Sequence, residues 1–505
     1  MIKTAFISVW DKTGLIPLAA QLKEHGWNLI ASGGTARQLI EGGLQVTPVR
    51  EVTGEPELFG GRVKTLHPAI HAGILAPDTE EARSTLRDRG WPLIDLIVVN
   101  LYPFQDIIND PETTPTRAIE YIDIGGAALL RAGAKNYQRV AVLSDPRDYP
   151  RDLAVLEDPG YRKEMAWKSF AVTAAYDTAI ASYFHQSTGA KGIKTHVLFP
   201  SQQLRYGENP HQKAAFYADR PGGTPFHGKL LQGKPLSYNN LLDLESAWRS
   251  VRRFEKPAAV VVKHASPCGV AQAGSAAKAL SLAVASDPIS AFGSVIACNH
   301  AVDAAFVKAL GDLFLECLIA PDISEGAHQQ LAGNKNLRLI QAPIDKPLPR
   351  TEMRSLPGGY LEQETDPGDP EPGPAWEVVT ERQPTPEEVS ALQFAWKAVM
   401  DVKSNAVLLA KTEGEMCFTV GIGGGQPNRV DCLRTAGFRA GKAAAGSVLA
   451  SDAFFPFPDG IQLAAELGVS AVVQPGGSRN DPQVIAEADQ HEIAMVFTSL
   501  RHFRH

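Results

Sequence analysis

The sequence predicts an α/β protein in two parts, and three observations carry that reading. The first part repeats a strand, a Gly-rich or loop segment and a helix, the unit of a parallel sheet. Further on, AAVVV (258–262) is an unbroken apolar run rich in valine, the pattern of a central strand covered on both faces. The five cysteines, Cys268, Cys298, Cys317, Cys417 and Cys432, all lie beyond residue 267, which suggests parts with separate histories.

A length of 505 residues suits about two to four domains. With 44% hydrophobic and 21% charged residues the chain has the material for a globular core. Its net charge of -7 argues against a general nucleic-acid binder. An odd cysteine count without a CxxC pair fits neither a disulfide framework nor a zinc site. The apolar run in MIKTAFISVWDKTG is cut by Asp11 and Lys12, so it reads as a strand and not as a signal peptide. No apolar run approaches the roughly 20 residues of a bilayer span. The expectation is a soluble, reduced, cytoplasmic protein without a membrane or nucleic-acid partner.

Thr4–Val9 reads as the first strand, LIPLAAQLKEHG as a helix and Asn28–Ala31 as the second strand. Ser32-Gly33-Gly34-Thr35 then enters the helix TARQLIEGG. Backbone N–H groups in such a turn, with a helix behind them, favour a phosphate; a plain Ser N-cap is the alternative. GGRVKTLHP places Arg62, Lys64 and His67 in a loop bounded by Gly and Pro. LIDLIVVN (93–100) is a buried strand that runs out into Asn100, Tyr102 and Phe104. Ligands of open α/β sheets sit beyond the carboxyl ends of strands, where Ser32, Asn100 and Tyr102 fall. Asp123-Ile124-Gly125-Gly126 is a loop opening a helix that carries Arg131 and Lys135. Val140–Leu143 is a further strand, and 145–191 reads as outer helices ending near ASYFHQ.

SVWDKTG, ASGGTA, GGRVKTLHP, NLYPF and DIGGAALLRAGAKN, in that order, resemble the IMP cyclohydrolase domain of the bifunctional purine biosynthesis enzymes. The resemblance implies a methylglyoxal-synthase-like fold over about residues 1–195, closing the inosine ring of the formylated carboxamide ribotide (FAICAR). It implies Lys135 as the leading catalytic residue, with Lys64, Tyr102 and Asp123 in support. The 5′-phosphate is expected on Ser32, Gly33, Gly34, Thr35, Lys12 and Thr65, with Arg62, Asn100 and Gly125 as further substrate contacts. Trp10 departs from the family, which commonly has Ser there.

The second part opens with LRYGENPHQ, a loop whose Arg205, Tyr206, Asn209 and His211 form a polar set suited to a nucleotide. LSYNNLLDLESAWRSVRRF reads as a helix with an apolar stripe. In AAVVVKHASPCGV the strand is expected to stop at Pro-Cys-Gly, leaving Lys263 and His264 where it emerges. A cation beside an imidazole there suits proton transfer next to developing negative charge; a surface Lys and a satisfied His are the plainer alternative. SDPISAFGSVIACN is a loop-to-strand passage bent at Gly293, and 306–321 is a helix and strand carrying Glu316. Residues 364–376, rich in Pro, Gly and acids, read as a solvated loop or connector.

Thr385-Pro386 starts a helix, and AVLLAKTEGEMCFTVGIGGGQPNR is a strand–turn–strand passage. GIGGGQ lacks the third glycine of a dinucleotide fingerprint; a turn bringing Asn405 and Arg429 to a ligand is the preferred reading. SDAFFPFPDG suits a wall against a flat heterocycle, or simply core packing of Phe454, Phe455 and Phe457. AVVQPGGSRND is another strand and Gly-rich turn, and TSLRHFRH reads as a docked end. VVVKHASPCG beside VGIGGGQPNR, and CNHAV beside SDAFFPF, hint at a repeated α/β unit.

LRYGENPHQ, KHASPCG, SDPISAFG, SNAV, GGGQPNRVD, SDAFFPFPDG, QPGGSRND and RHFRH resemble the AICAR formyltransferase domain of the same enzymes. Over about 200–505 this resemblance implies two cytidine-deaminase-like lobes without the deaminase zinc; the zinc signature is missing here too, Pro267-Cys268 being followed by Gly269-Val270-Ala271 and not by a second Cys. It implies His264 as base and Lys263 as cationic stabiliser, with Asn405 positioning the transferred group. Arg205, Tyr206, Gly293, Glu316, Arg429 and Arg501 are expected on the ribotide, and Phe454 and Asp459 on the folate. The donor implied is 10-formyltetrahydrofolate, no metal is required, and the family forms a homodimer. Ser266 and Pro427-Asn428 depart from the family pattern. Three rivals stand beside this reading: a zinc deaminase, a nucleotide-binding regulator without turnover, and an enzyme that Trp10 leaves with one activity.

Overall fold

The structure, a computed structural model, describes residues 2–188, 192–370 and 376–505. Two compact units follow one another, Met1–Val197 and Leu198–His505.

In the first unit the strands are β1 (Thr4–Val9), β2 (Asn28–Ala31), β3 (Thr47–Pro48), β4 (Leu96–Asn100) and β5 (Ala141–Leu143). They form a parallel sheet in the order β3-β2-β1-β4-β5. Ala5, Phe6, Ile7, Leu96, Ile97 and Val98 are fully buried, which is why these strands read as continuous apolar runs. The helices are α1 (Leu15–Glu24), α2 (Gly33–Glu41), α3 (Val49–Thr53), α4 (Pro68–Leu75), α5 (Glu80–Asp88), α6 (Phe104–Asn109), α7 (Pro115–Glu120), α8 (Ile124–Lys135) and α9 (Pro159–Thr188). From β1 the chain steps outward to β2 and β3, then returns to place β4 and β5 on the other side. The switch point therefore lies between β1 and β4, and the carboxyl ends Val9, Ala31 and Asn100 open there.

The second unit is built on a sheet of twelve strands among the described residues. After a hairpin of β6 (Phe199–Gln203) and β7 (Ala215–Ala218), its first half uses β8 (Lys229–Gln232), β9 (Ala258–Lys263), β10 (Ser266–Gln272), β11 (Ser294–Cys298), β12 (Leu315–Ala320) and β13 (Arg338–Gln341). An arm of β14 (Thr351–Leu356) and β15 (Gly359–Glu364) follows. The second half uses β16 (Glu377–Val378), β17 (Ala406–Glu413), β18 (Met416–Gly424), β19 (Val448–Ser451), β20 (Ala471–Gln474) and β21 (Ala494–Phe497). Helices α10 (Tyr238–Val251), α11 (Ala276–Ser286), α12 (Pro288–Ala291), α13 (Ala304–Leu310), α14 (Glu325–Leu331), α15 (Pro386–Val399), α16 (Arg429–Ala440), α17 (Asp459–Glu466) and α18 (Asp481–Gln490) complete the unit.

The two halves have one topology. A helix (α10, α15) leads into an antiparallel hairpin (β9/β10, β17/β18), then an antiparallel strand, two parallel strands and an antiparallel edge. They join through β10 and β18, with Ala271 opposite Phe418. The pairing of CNHAV with SDAFFPF holds, because these follow the equivalent strands β11 and β19. VVVKHASPCG, however, is equivalent to the β17/β18 hairpin, while GIGGG is the end of β18.

Two further expectations are corrected. Pro-Cys-Gly does not stop regular structure: it lies inside β10, where the register shifts between Pro267 and Gly269. A bulge lets a proline stand in a strand. The 364–376 stretch is more than a solvated connector. Asp366 and Asp369 accept from buried groups (below), and Trp376 packs edge-on against Trp396 at 6.5 Å. Residues 371–375 of that stretch, and residues 189–191 at the end of the expected outer helices, lie outside the described residues.

Candidate active sites

In the first unit the carboxyl ends of β1, β2 and β4 hold one polar cluster. The Ser8 and Ser32 hydroxyls hydrogen-bond at 2.6 Å. Thr35 Oγ1 accepts from Val9 N–H and donates to Val9 O, both at 3.1 Å. Ser32 occupies the N-cap of α2 without capping it through its side chain. Both hydroxyls are thus engaged by β1, and what the turn offers an anion is backbone N–H at the first helical turn. Asn100 is likewise occupied. Its Oδ1 accepts from Trp10 N–H at 2.6 Å and Asp11 N–H at 2.9 Å, and its Nδ2 donates to Asp11 O at 2.8 Å. It shapes the Trp10–Asp11 loop, onto whose Trp10 carbonyl Lys12 Nζ donates at 3.3 Å.

The 60–68 loop closes over this end. A Cβ added at Gly33 would stand 3.2 Å from Glu57 Oε1 and 3.5 Å from Lys64 Nζ; one at Gly125 would stand 2.6 Å from Thr65 Oγ1. The missing Cβ at Gly125 is what admits the buried Thr65 hydroxyl, while Gly33 answers to its own positive φ of 40°. Asp123 caps α8 by accepting Gly126 N–H at 2.6 Å. Burial holds its carboxyl above the usual range, against the pull of the Gly126 N–H, Lys64 and the Tyr102 N–H. The Tyr102 phenol is also pushed up, first by burial and then by Asp123 and Glu57. Trp10, Tyr102 and Tyr121 form an edge-on triad, with centroids 5.2 Å, 5.7 Å and 6.1 Å apart. Tyr176 braces it from α9, donating to Tyr121 O at 2.6 Å and accepting Asp123 N–H at 2.8 Å.

Two predicted residues stand away from this group. Arg62 is exposed and paired with Glu120, its Nε 3.2 Å from Oε2. Lys135 is the last residue of α8, about 18 Å of helical rise from Asp123. A cavity of about 640 Å³ along α8 and α9 is lined by both Asp123 and Lys135, together with His71, Arg131 and Phe170.

In the second unit, Lys263 ends β9 and His264-Ala265 form a two-residue hairpin turn, each at φ 56°. That is the type I′ pattern, in which side chains other than Gly, Asn or Asp are strained. The turn is held by α10: Asp243 Oδ1 accepts Ala265 N–H at 2.6 Å, and Ser246 Oγ donates to Ala265 O at 3.2 Å. Burial raises the Asp243 carboxyl, opposed by the Ala265 N–H and by His264, Lys403 and Lys263. Lys263 Nζ donates to Phe292 O at 2.7 Å, tying it to the residue before Gly293. The Gly293 N–H in turn bonds Phe314 O at 2.8 Å, and Glu316 on β12 pairs with Arg338 at 2.6 Å. Arg205 and Tyr206 lie at the start of α10, where Arg205 N–H meets Leu236 O and Tyr238 N–H meets Tyr206 O. The Arg205 guanidinium sits 5.3 Å over the Tyr206 ring.

A second group gathers at the same end of the sheet. Asn405 Nδ2 donates to Gln426 O at 3.0 Å. Arg429 donates to Asp452 Oδ1 at 2.7 Å and to Phe454 O at 3.2 Å, and Ser404 Oγ bonds the other Asp452 oxygen at 2.5 Å. A fully buried Asp452 thus joins Arg429 to Ser404, the neighbour of Asn405, and Arg429 in turn reaches the Phe454 carbonyl. Arg501 is exposed, its guanidinium 4.6 Å over Phe503. Asp459 opens α17 and accepts Gly460 N–H at 2.9 Å; among the described residues it makes no hydrogen bond to Asn405 or Arg429. Sequence reasoning missed Glu57, Tyr121, Tyr176, Asp243 and Asp452, which act on the singled-out residues from distant segments. All five cysteines are free and buried, and no group of His, Cys, Asp or Glu among the described residues is arranged to hold a metal ion. No helix among them is long and apolar enough to cross a membrane.

Comparison with known proteins matches residues 14–128 to the MGS-like domain and residues 133–439 to the AICARFT/IMPCHase bienzyme. A "Bifunctional purine biosynthesis protein PurH" of Desulfitobacterium hafniense is 48% identical over 523 aligned positions covering all of both chains. One of Halalkalibacterium halodurans is 46% identical over 516, again covering all of both. A chain solved as "Crystal structure of ForH" is 37% identical over 37% of this chain and 98% of its own, with a TM-score of 0.33. The matched models and full-length identities place this chain in the AICARFT/IMPCHase bienzyme family.

Proposed function

We propose that the two activities of this bifunctional enzyme of purine biosynthesis are divided between the units. Leu198–His505 would transfer the formyl group of 10-formyltetrahydrofolate to AICAR, and Met1–Val197 would close the product, FAICAR, to IMP. The observation that carries this reading is the His264 turn. A hairpin with two left-handed non-glycine residues is held by Asp243 so that an exposed imidazole stands beside an anchored ammonium.

In formyl transfer the AICAR amine attacks the formyl carbon. His264 takes the amine proton, and Lys263 faces the oxyanion that forms. The bond from the formyl carbon to the folate nitrogen then breaks, and that nitrogen is protonated as it leaves. Asn405 orients the transferring group; Arg205, Tyr206, Gly293, Glu316, Arg429 and Arg501 take the ribotide, and Phe454 and Asp459 the folate. Ring closure is intramolecular, so the first unit chiefly holds a reactive conformer and moves protons. The carboxamide nitrogen attacks the formyl carbon, and water leaves. Lys64, Tyr102 and Asp123 form the compact set for this step, and Lys135 is assigned to it at the far end of α8. The Gly33–Gly34 turn, Lys12 and Thr65 take the phosphate, with Arg62, Asn100 and Gly125 around it.

The five free, buried thiols suit a cytoplasmic setting, and we place the working enzyme there as a homodimer. Incubation with AICAR and 10-formyltetrahydrofolate tests the reading. IMP should accumulate; formylated ribotide as the end product would leave formyl transfer alone, and unchanged AICAR would leave neither activity.

A further inference from the structure

Of the last five residues only His502 is buried; Arg501, Phe503 and His505 are exposed and Arg504 is partly covered. Its Nδ1 lies 2.6 Å from Asp366 Oδ2 and its Nε2 3.0 Å from Asp369 Oδ1. Both carboxylates come from the acidic, Pro-rich stretch. Carboxylates accept, so both ring nitrogens donate and the ring is an imidazolium. In keeping with this, the two carboxylates raise its pKa to about 9 against the opposing effect of burial. The ring meets Trp396 edge-on at 5.4 Å, and Trp396 Nε1 donates to Asp369 Oδ2 at 2.9 Å.

The backbone on either side is tied to the formyltransferase group. His502 N–H donates to Asp452 O at 3.2 Å, and Asp452 is the carboxylate that holds Arg429 and Ser404. Ser404 N–H donates to Arg504 O at 2.8 Å, while Ser499 N–H donates to Pro475 O at 3.1 Å. Arg501 thus sits on a strap fixed before and after it, and its own side chain is left free of the core.

We propose that His502 is a positioning residue for formyl transfer, pinning the chain end between Asp366 and Asp369 so that Arg501 is presented to the phosphoribosyl group of the substrate. This rests on the reading of Arg501 as a ribotide contact. His502 does not touch substrate; it acts by fixing where the Arg501 guanidinium starts from.

The test is a double-mutant cycle on the full chain, read as KM for AICAR and kcat of formyl transfer, with closure of supplied FAICAR as an internal control. Arg501→Ala and His502→Gln should each raise KM about tenfold with kcat nearly kept, and the double variant should be no worse than Arg501→Ala alone. His502→Ala, checked by thermal melting, should act like His502→Gln if it folds; if it does not, the Gln variant decides. An unchanged KM in His502→Gln beside a raised KM in Arg501→Ala would overturn the proposal alone. So would multiplying effects in the double variant. An unchanged KM in Arg501→Ala would overturn the ribotide reading of that residue, and the proposal with it.

Discussion

Asp243 accepts the Ala265 N–H at 2.6 Å, so a side chain of α10 fixes the turn that carries His264. The bond restrains two residues in the left-handed region, where non-glycine side chains cost about 1–2 kcal/mol each. Asp243→Ala should therefore lower kcat for formyl transfer by about tenfold or more, since a general base is worth roughly 10²–10⁴ only while positioned. Stability should fall by about 1–2 kcal/mol. A melting curve with parallel assays of both reactions checks this: ring closure should be unaltered, and full retention of formyl transfer would show that the turn holds itself.

Trp10 touches Tyr102 and Tyr121 through its ring, while its backbone is held by Asn100. The two contributions separate. Trp10→Ser removes aromatic contacts worth about 0.5–1.5 kcal/mol each and should slow ring closure roughly 3- to 10-fold. Asn100→Ala leaves two N–H groups without their acceptor and should cost more. Rates with purified FAICAR give the order; a larger loss in Trp10→Ser would mean that the ring itself meets substrate.

The His502 clamp sets a pH dependence. Its folded pKa of about 9 lies above the ordinary histidine value of about 6.5. The stabilisation is then fully present below about pH 6.5 and lost as pH rises through about 9. The charged groups facing the ring are Asp366 and Asp369, with Arg253 acting on both from behind. Melting temperature of the wild type should fall between pH 8 and 10, by more than that of His502→Gln. Parallel curves for the two proteins would remove the clamp as the source.

Lys135 and Asp123 line one cavity yet stand at opposite ends of α8. Lys135→Gln should slow closure of supplied FAICAR by about 10²-fold if the lysine takes part in proton transfer, without altering formyl transfer. An undiminished rate would leave the reaction to Lys64, Tyr102 and Asp123.

The strands of both sheets are legible in the sequence wherever burial on two faces forces continuous apolar runs, as in β1, β4 and β9. β10 is not, because Pro-Cys-Gly resembles a terminator and the His-Ala turn carries none of the Gly or Asn that marks a two-residue hairpin. The residue types at the two candidate sites are legible as motifs, but their partners are not. Asp366 lies 136 residues from His502, and no local pattern announces that pair. Ser32, Thr35 and Asn100 show the converse limit: their place at the strand ends follows from topology, while their hydroxyls and amide turn out to be bonded to the loop and strand beside them.

The central claim is that the imidazole at 264 serves one reaction and not the other. His264→Ala, confirmed as folded, is assayed separately for FAICAR formation from AICAR and for closure of supplied FAICAR. The account predicts that the first falls by at least about 10²-fold while the second stays at the wild-type rate. Equal loss of both, or formyl transfer at the wild-type rate, would contradict it.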